Sequence, residues 1–199
     1  MHIGFTGIDG AGKSTQAALL CGWFNQQKIP NILREGKRDF VSQMSGIIAA
    51  RKGIESGRKY LREDYYMVSL SFDLLREVVF DVTPFVKNGV VVVTARTAFC
   101  RLAGGMARNC NAIETAKEIS LSGGVPSPII WLDTSPVVAY QRIISRGFDD
   151  AEIEHLKFYR KCLKELLKEY PHIRINGDKP IDSVSSEIKS VVNAIINNK

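Results

Sequence analysis

The sequence predicts one α/β domain: a five-stranded parallel sheet flanked by helices on both faces. Three observations predict it. Apolar runs of strand length alternate with amphipathic stretches from end to end; no repeat, linker or low-complexity tract interrupts them; and a glycine-rich turn sits at the first strand-to-helix junction. The length of 199 residues fits a single domain, residues 1–199, that buries its own core without staples.

Each element has its own justification. "HIGFTGI" (2–8) reads as a buried strand, and 13–27 as an amphipathic helix with Leu19, Leu20 and Phe24 on one side. "IPNILRE" (29–35) is a second strand, followed by a helical stretch near 39–52 and a polar connector, "GIESGRK". A long helix is expected over 63–87, bent or broken near its end by Pro84. "GVVVVT" (89–94) is β-branched throughout and opens on a glycine turn, so it is expected in the sheet centre. Helices across 97–121 lead through "GGVPSP" to the strand "IIWLDT" (129–134). Ser135 can cap the next helix with Pro136 at its first position, and that helix runs to Arg146 and Gly147. A charged helix from Asp149 to Tyr170, the strand "HIRIN" (172–176) and an amphipathic helix over 181–197 complete the pattern.

Composition narrows the function. The net charge of +6 suits an anionic ligand, and because the basic residues are dispersed it does not by itself select a nucleic acid, which stays possible but not favoured. Four cysteines without C-x-x-C spacing, no signal-like segment and no run of about 18 apolar residues make a cytoplasmic protein with reduced thiols, and no membrane, the expectation.

The chemistry is concentrated in "GIDGAGKS", Gly7 to Ser14, which satisfies G-x-x-x-x-G-K-[ST] between a predicted strand and a predicted helix. Glycines let successive backbone N–H groups converge on phosphate oxygens at a helix N-terminus. Gly7, Gly10, Ala11, Gly12, Lys13, Ser14 and Thr15 are therefore the candidate phosphate-binding set, with Lys13 on the β- and γ-phosphates and the Ser14 hydroxyl on Mg²⁺. The fold expected is that of the P-loop NTPases. No N-K-x-D-like base motif follows, which disfavours a GTPase, and the short chain and its basic balance favour a small-molecule kinase with ATP as donor.

Several segments, in order, resemble the thymidylate kinases: "GIDGAGKSTQ", "LREG" (33–36), "SFDLLRE" (71–77), "NGVVVVTAR" (88–96), "PSPIIWLDTSPVVAYQRIISRG" (126–147), "FYRK" and the C-terminal stretch. The resemblance implies ATP- and Mg²⁺-dependent phosphoryl transfer to a nucleoside monophosphate, dTMP or another, possibly modified, pyrimidine nucleotide, in a homodimer. It implies Asp9 facing the reacting phosphates or acceptor sugar, and Arg34 and Glu35 supporting the acceptor or Mg²⁺. Phe72 would stack on the acceptor base, Arg76 would reach its phosphate or base, and Arg96 would hold its phosphate. Arg142 and Arg146 would be donor-side arginines of a short lid near 142–152. Lys13, Asp9, Arg96 and Arg146 make up the expected catalytic set.

Departures from the family pattern cluster on the acceptor side. Ala95 stands where an aspartate is usual, Thr97 where an aromatic or histidine is usual, Gly36 where proline is usual, and Gly104-Gly105 where Tyr-Gln is frequent. Asp149-Asp150-Ala151 lacks a lid arginine. Asp9, Glu35 and Asp133 are the carboxylates that could substitute for the one missing at Ala95, though Asp133 could equally cap the helix after it. Two other readings stay open: a kinase of a nucleoside or nucleic-acid hydroxyl, and a nucleotide-binding protein with weakened catalysis.

Overall fold

A computed structural model describes residues 1–36, 40–147 and 152–197. The expected sheet forms from β1 (His2–Thr6), β2 (Asn31–Arg34), β3 (Val91–Thr94), β4 (Ile129–Asp133) and β5 (Ile173–Asn176), all parallel, in the order β2-β3-β1-β4-β5. β3 is interior and fully buried, but β1 holds the middle position that the β-branched run suggested for β3. Every residue of β4 is buried too, which is why these strands read as unbroken apolar runs rather than alternating ones.

The connections fix where ligands can bind. The chain leaves β1 toward β2 through α1 (Lys13–Gln26), and leaves β3 in the opposite direction toward β4 through α6 (Ala98–Met106) and α7 (Ile113–Leu121). Right-handed crossovers running opposite ways put these helices on opposite faces. The last helix, α10 (Ile181–Asn197), packs on α1, while α9 (Ile153–Leu167) packs on α6. The crevice at the carboxyl ends of β1 and β3, where the winding reverses, is the place where such sheets bind ligands. Phe5, Ile3, Phe24, Phe99, Leu70 and Leu132 fill the core behind it. Each contributes about 1.5–3 kcal/mol by burial, which holds the crevice walls in register.

Between β2 and β3 the path is more broken than the sequence suggests. α2 (Phe40–Arg51) is followed by a short α3 (Gly57–Leu61) inside the polar connector, where Ser56 Oγ accepts the Lys59 amide and so starts a turn. The long helix divides into α4 (Glu63–Arg76), a π-helical segment Glu77–Val82 and α5 (Thr83–Lys87). The expected break thus falls just before Pro84, which lies in the first turn of α5, where its missing N–H costs nothing. The expected cap also forms: Ser135 Oγ accepts from Val138 N at 3.3 Å and opens α8 (Pro136–Ile144).

Candidate active site

The segment between β1 and α1 has the backbone its glycines predict. Gly10 and Gly12 have φ of 79° and 90°, a region that costs a side-chain-bearing residue about 1 kcal/mol or more. Gly10 has a second reason: a Cβ there would stand 2.4 Å from Ala139 O of α8. Around Gly12 there is open space, so the absent side chain leaves the cradle clear.

Lys13 is 5% exposed and folds over its own loop, donating to Gly7 O at 2.8 Å and Ile8 O at 2.7 Å. Burial pulls its pKa down, with Arg96 and Arg101 adding to the effect, while Cys100 and Asp9 oppose it. Asp9 Oδ1 is 4.0 Å from Lys13 Nζ and 3.3 Å from Arg96 Nη2, so this one carboxylate joins the cradle to the end of β3. Desolvation alone would raise the Asp9 pKa, but Lys13, Arg96, Arg101 and Arg108 outweigh it and hold the carboxyl below its ordinary value. Beneath them Cys100 is fully buried, 3.2 Å from Thr6 Oγ1.

A cleft of about 670 Å³ opens over these groups, lined at its floor by the cradle and at its sides by Arg96, Arg108, Arg146 and His155. A smaller pocket of about 190 Å³ continues from Gly12 and Thr15 past Arg142 and Arg146 to Gly177 and Lys179. The two share Gly12, Thr15 and Arg146. Phosphates on the cradle can therefore carry an attached base into the smaller pocket and leave the larger one for a second substrate.

The expected residues divide into groups. Lys13, Asp9, Ser14, Thr15, Arg96 and Arg146 come together around the larger cleft, and Arg142 lines the smaller pocket. Arg34 and Arg76 gather elsewhere, around Asp81: Arg34 donates to Asp81 O at 3.3 Å, and Arg76 pairs with the Asp81 carboxylate at 3.0 Å. Phe72 presents its ring to solvent, 56% exposed, and Glu35 is exposed at the end of β2. Residues 148–151, the tip of the expected lid, lie outside the described residues.

The departures have physical readings. Gly36 has φ +63°, which proline's ring, fixed near −65°, cannot reach, and Arg101 donates to its carbonyl at 3.0 Å. Gly105 faces the helix packing, since a Cβ there would meet Ile113 Cδ1 at 2.9 Å and Met67 Cε at 3.0 Å. Gly104 instead faces Arg108 and Tyr159. Ala95 is fully buried in the apolar cluster. Asp133 is no substitute for the carboxylate missing there, because it accepts from Arg160 Nε at 2.6 Å and Arg174 Nε at 2.7 Å. Nor does it cap α8, a role Ser135 fills.

Sequence reasoning passed over Arg101, Arg108, His155 and Tyr159. The signal for Arg108 was its spacing: it follows Gly104 by one helical turn, so its side chain can fold into the space over a residue that has none. Tyr159 is buried and donates to Cys100 O at 2.7 Å, clamping α9 to α6 beside the cleft.

Among the described residues no three His, Cys, Asp or Glu side chains stand together as a metal site. Mg²⁺ does not need one, since it keeps waters and is held by one or two protein oxygens together with substrate phosphates. Ser14 and Asp9 on the cleft floor offer that set, and Asp9 Oδ1 is buried with ion-pair contacts but no hydrogen bond. The residues present fit the ion. No helix among the described residues is long and apolar enough to cross a membrane.

Comparison with known proteins agrees with this geometry. The family model described as thymidylate kinase matches residues 5–188. A probable thymidylate kinase of Archaeoglobus fulgidus is 28% identical, covering 100% of this chain and 98% of that protein. Thymidylate kinases of Fervidobacterium nodosum and Thermosipho africanus are 27% and 29% identical, covering 98% and 96% of this chain and 100% and 97% of theirs. With the phosphate cradle, the crevice over β1 and β3 and a match along nearly the whole length, the chain belongs to the thymidylate kinase family.

Proposed function

We propose that this protein transfers the γ-phosphoryl group of ATP to a nucleoside monophosphate, a pyrimidine nucleotide such as dTMP or a modified one, giving the nucleoside diphosphate and ADP. The observation that carries the reading is the pair of joined pockets meeting at the glycine cradle, one for each nucleotide. An oxygen of the acceptor phosphate attacks the γ-phosphorus, and the bond from that phosphorus to the β–γ bridging oxygen breaks. ADP takes the electron pair.

Each residue has a part in this scheme. The amides of Gly10, Ala11, Gly12, Lys13, Ser14 and Thr15 cradle the donor phosphates, with Gly7 shaping the turn, and Lys13 leaves its own carbonyls to meet the β- and γ-oxygens. Arg142 flanks the donor base and Arg146 neutralises migrating charge. Arg96, tethered by Asp9, holds the acceptor phosphate in line. Mg²⁺, held by Ser14 with Asp9 nearby, would supply further positive charge at the β- and γ-oxygens. Arg34, Glu35, Phe72 and Arg76 do not line the larger cleft, so their part in the scheme is to reach an acceptor that extends beyond it toward β2 and α4, where Phe72's exposed ring is available for stacking. The chain acts as one kinase domain with a lid near 142–152, and as a homodimer for which the exposed Met44, Ile47 and Ile48 of α2 offer an apolar face.

Labelled ATP offered with nucleosides, monophosphates and a polynucleotide tests the reading. A labelled diphosphate supports it, and label on a nucleoside or polynucleotide hydroxyl overturns it. One observation favours a second reading, weakened catalysis: no carboxylate stands at the fully buried Ala95. Tight ATP binding without transfer to any acceptor would select it.

A further inference from the structure

The start of α9 brings three side chains to the larger cleft: Glu152, which caps the helix, and His155 and Leu156 in its first turns. Their spacing, i, i+3 and i+4, puts them on one helix face, which Tyr159 continues a turn later. Leu156 and Tyr159 are buried, and Tyr159 is tied to α6 through Cys100 O, so this face anchors the helix and keeps His155 at the cleft wall. The His155 ring is partly buried, 6.1 Å from the Tyr159 ring between centroids. Among the described residues neither of its ring nitrogens makes a hydrogen bond, so both are available to a ligand.

The charges around the ring decide what that ligand is. Lys13 of the cradle, Arg96 at the end of β3, Arg108 past the end of α6 and Arg146 past the end of α8 line the same cleft, against the carboxylates of Asp9 and Glu152. Cations outnumber anions there, and the floor between them is the glycine cradle, so the cleft is built for phosphate groups. Burial first, and then Arg108, hold the His155 pKa below its ordinary 6.5; Arg58 of α3 adds to the effect, while Asp9 and Glu152 oppose it. The ring is therefore neutral at pH 7. A phosphate group beside it reverses the balance, because it offsets the Arg108 charge and offers oxygens that accept from a ring N–H.

We propose that His155 is a further binding residue for the phosphate oxygens in the larger cleft and holds them as imidazolium, so that binding takes a proton from solution; the role rests on the phosphoryl-transfer reading for the identity of the ligand. The sign follows from linkage. A group whose pKa is higher in the complex than in the free protein strengthens binding as pH falls through its value in the complex, and the gain levels off below its value in the free protein. An opposite charge at about 4–6 Å raises a pKa by about 1–3, enough to carry His155 from neutral to substantially protonated at pH 7. The arginines around it stay charged at every such pH, so His155 is the cationic ligand of this cleft that proton concentration can switch.

Titration calorimetry in two buffers of different ionisation enthalpy counts the proton, with ATP and dTMP as separate probes in EDTA at pH 7. Wild type is expected to take up about 0.2–0.8 proton on binding at least one of the two nucleotides. His155→Gln keeps a donor but cannot be protonated. It should bring the uptake close to zero, bind that nucleotide about 3- to 10-fold more weakly than wild type at pH 6 and within about twofold at pH 8.5, and melt at the wild-type temperature. Should the glutamine variant not fold, His155→Asn is read in its place. Three results overturn the inference: wild type taking up no proton with either nucleotide, a folded variant that takes up as much as wild type, or a variant weakened by the same factor at pH 6 and pH 8.5. A parallel assay of label transfer from ATP separates this from the kinase reading. Proton uptake that depends on His155 without any transfer sinks the kinase and keeps the inference, whereas transfer without such uptake does the reverse.

Discussion

Asp9→Asn separates a positioning role from a stabilising one. At 3.3 Å from Arg96 and 4.0 Å from Lys13, the Asp9 charge would be worth about 5 and about 4 kcal/mol at an effective dielectric constant of about 20. Asp9 is 46% exposed and Arg96 28%, so water screens most of this, and exposed pairs are typically worth about 0.2–1 kcal/mol each. The stability loss should therefore be about 1 kcal/mol, or about 2–4 °C in melting temperature for a chain of this length. The activity loss should be larger. If Arg96 holds the acceptor phosphate as proposed, losing the Asp9 contact frees it to shift, and a misplacement of about 1 Å can cost about 100-fold in kcat/KM. The Asp9 carboxyl titrates below 3.8 in the folded protein, so its stabilisation is present above that pH and is lost as pH falls through the folded value. The stability gap between wild type and variant should accordingly be open at pH 7, shrink in 1 M salt and close in acid. Differential scanning calorimetry and steady-state kinetics read the two effects separately. A kcat/KM within about threefold of wild type, or a melting temperature lower by more than about 10 °C, would refute the reasoning.

Other residues should respond differently. Asp133→Asn removes the charge shared by Arg160 and Arg174 while both arginines can rehydrate, being 37% and 63% exposed; it should cost about 2–3 kcal/mol in denaturant unfolding and leave kcat within about threefold. His2, held by Thr94 Oγ1 at 3.1 Å, has its pKa lowered from 6.5 to about 4 by burial and then by the N-terminal charge, so the unfolded chain binds the proton more tightly. Stability should fall by about 2–3 kcal/mol as pH drops from 6.5 toward 4, and His2→Gln should flatten that slope in unfolding titrations. Gly10→Ala would have to fit a Cβ 2.4 Å from Ala139 O at a φ of 79°; it should lower the melting temperature by several degrees and abolish ATP binding measured by calorimetry.

The phosphate cradle was legible in the sequence because its chemistry is local: the glycines, Lys13 and Ser14 are adjacent, and their spacing alone implies converging amides. The strands were legible for the same reason, as short β-branched runs between turn signals. The central place of β1 was not, since strand order depends on which crossovers cross which faces. The role of Asp133 depends on Arg160 and Arg174, 27 and 41 residues farther on, which no local pattern connects to it. Gly104 and Gly105 read as equivalent losses along the chain, yet a helix turns adjacent residues about 100° apart, so one faces Arg108 and Tyr159 and the other faces Met67 and Ile113. The short helix α3 was missed because it begins at Gly57, a poor helix former whose Cβ would clash with Ser45 at 2.1 Å.

The most direct measurement is the initial rate of diphosphate formation from ATP, Mg²⁺ and a pyrimidine nucleoside monophosphate, for wild type and for Lys13→Ala with its fold verified by circular dichroism. Lys13 is the one side-chain cation inside the cradle, and removing such a preorganised charge costs about 3–5 kcal/mol in the transition state. The account predicts diphosphate from wild type and a rate about 10²–10⁴-fold lower from the variant. Wild type that forms no diphosphate, or a folded Lys13→Ala that forms it at the wild-type rate, would contradict it.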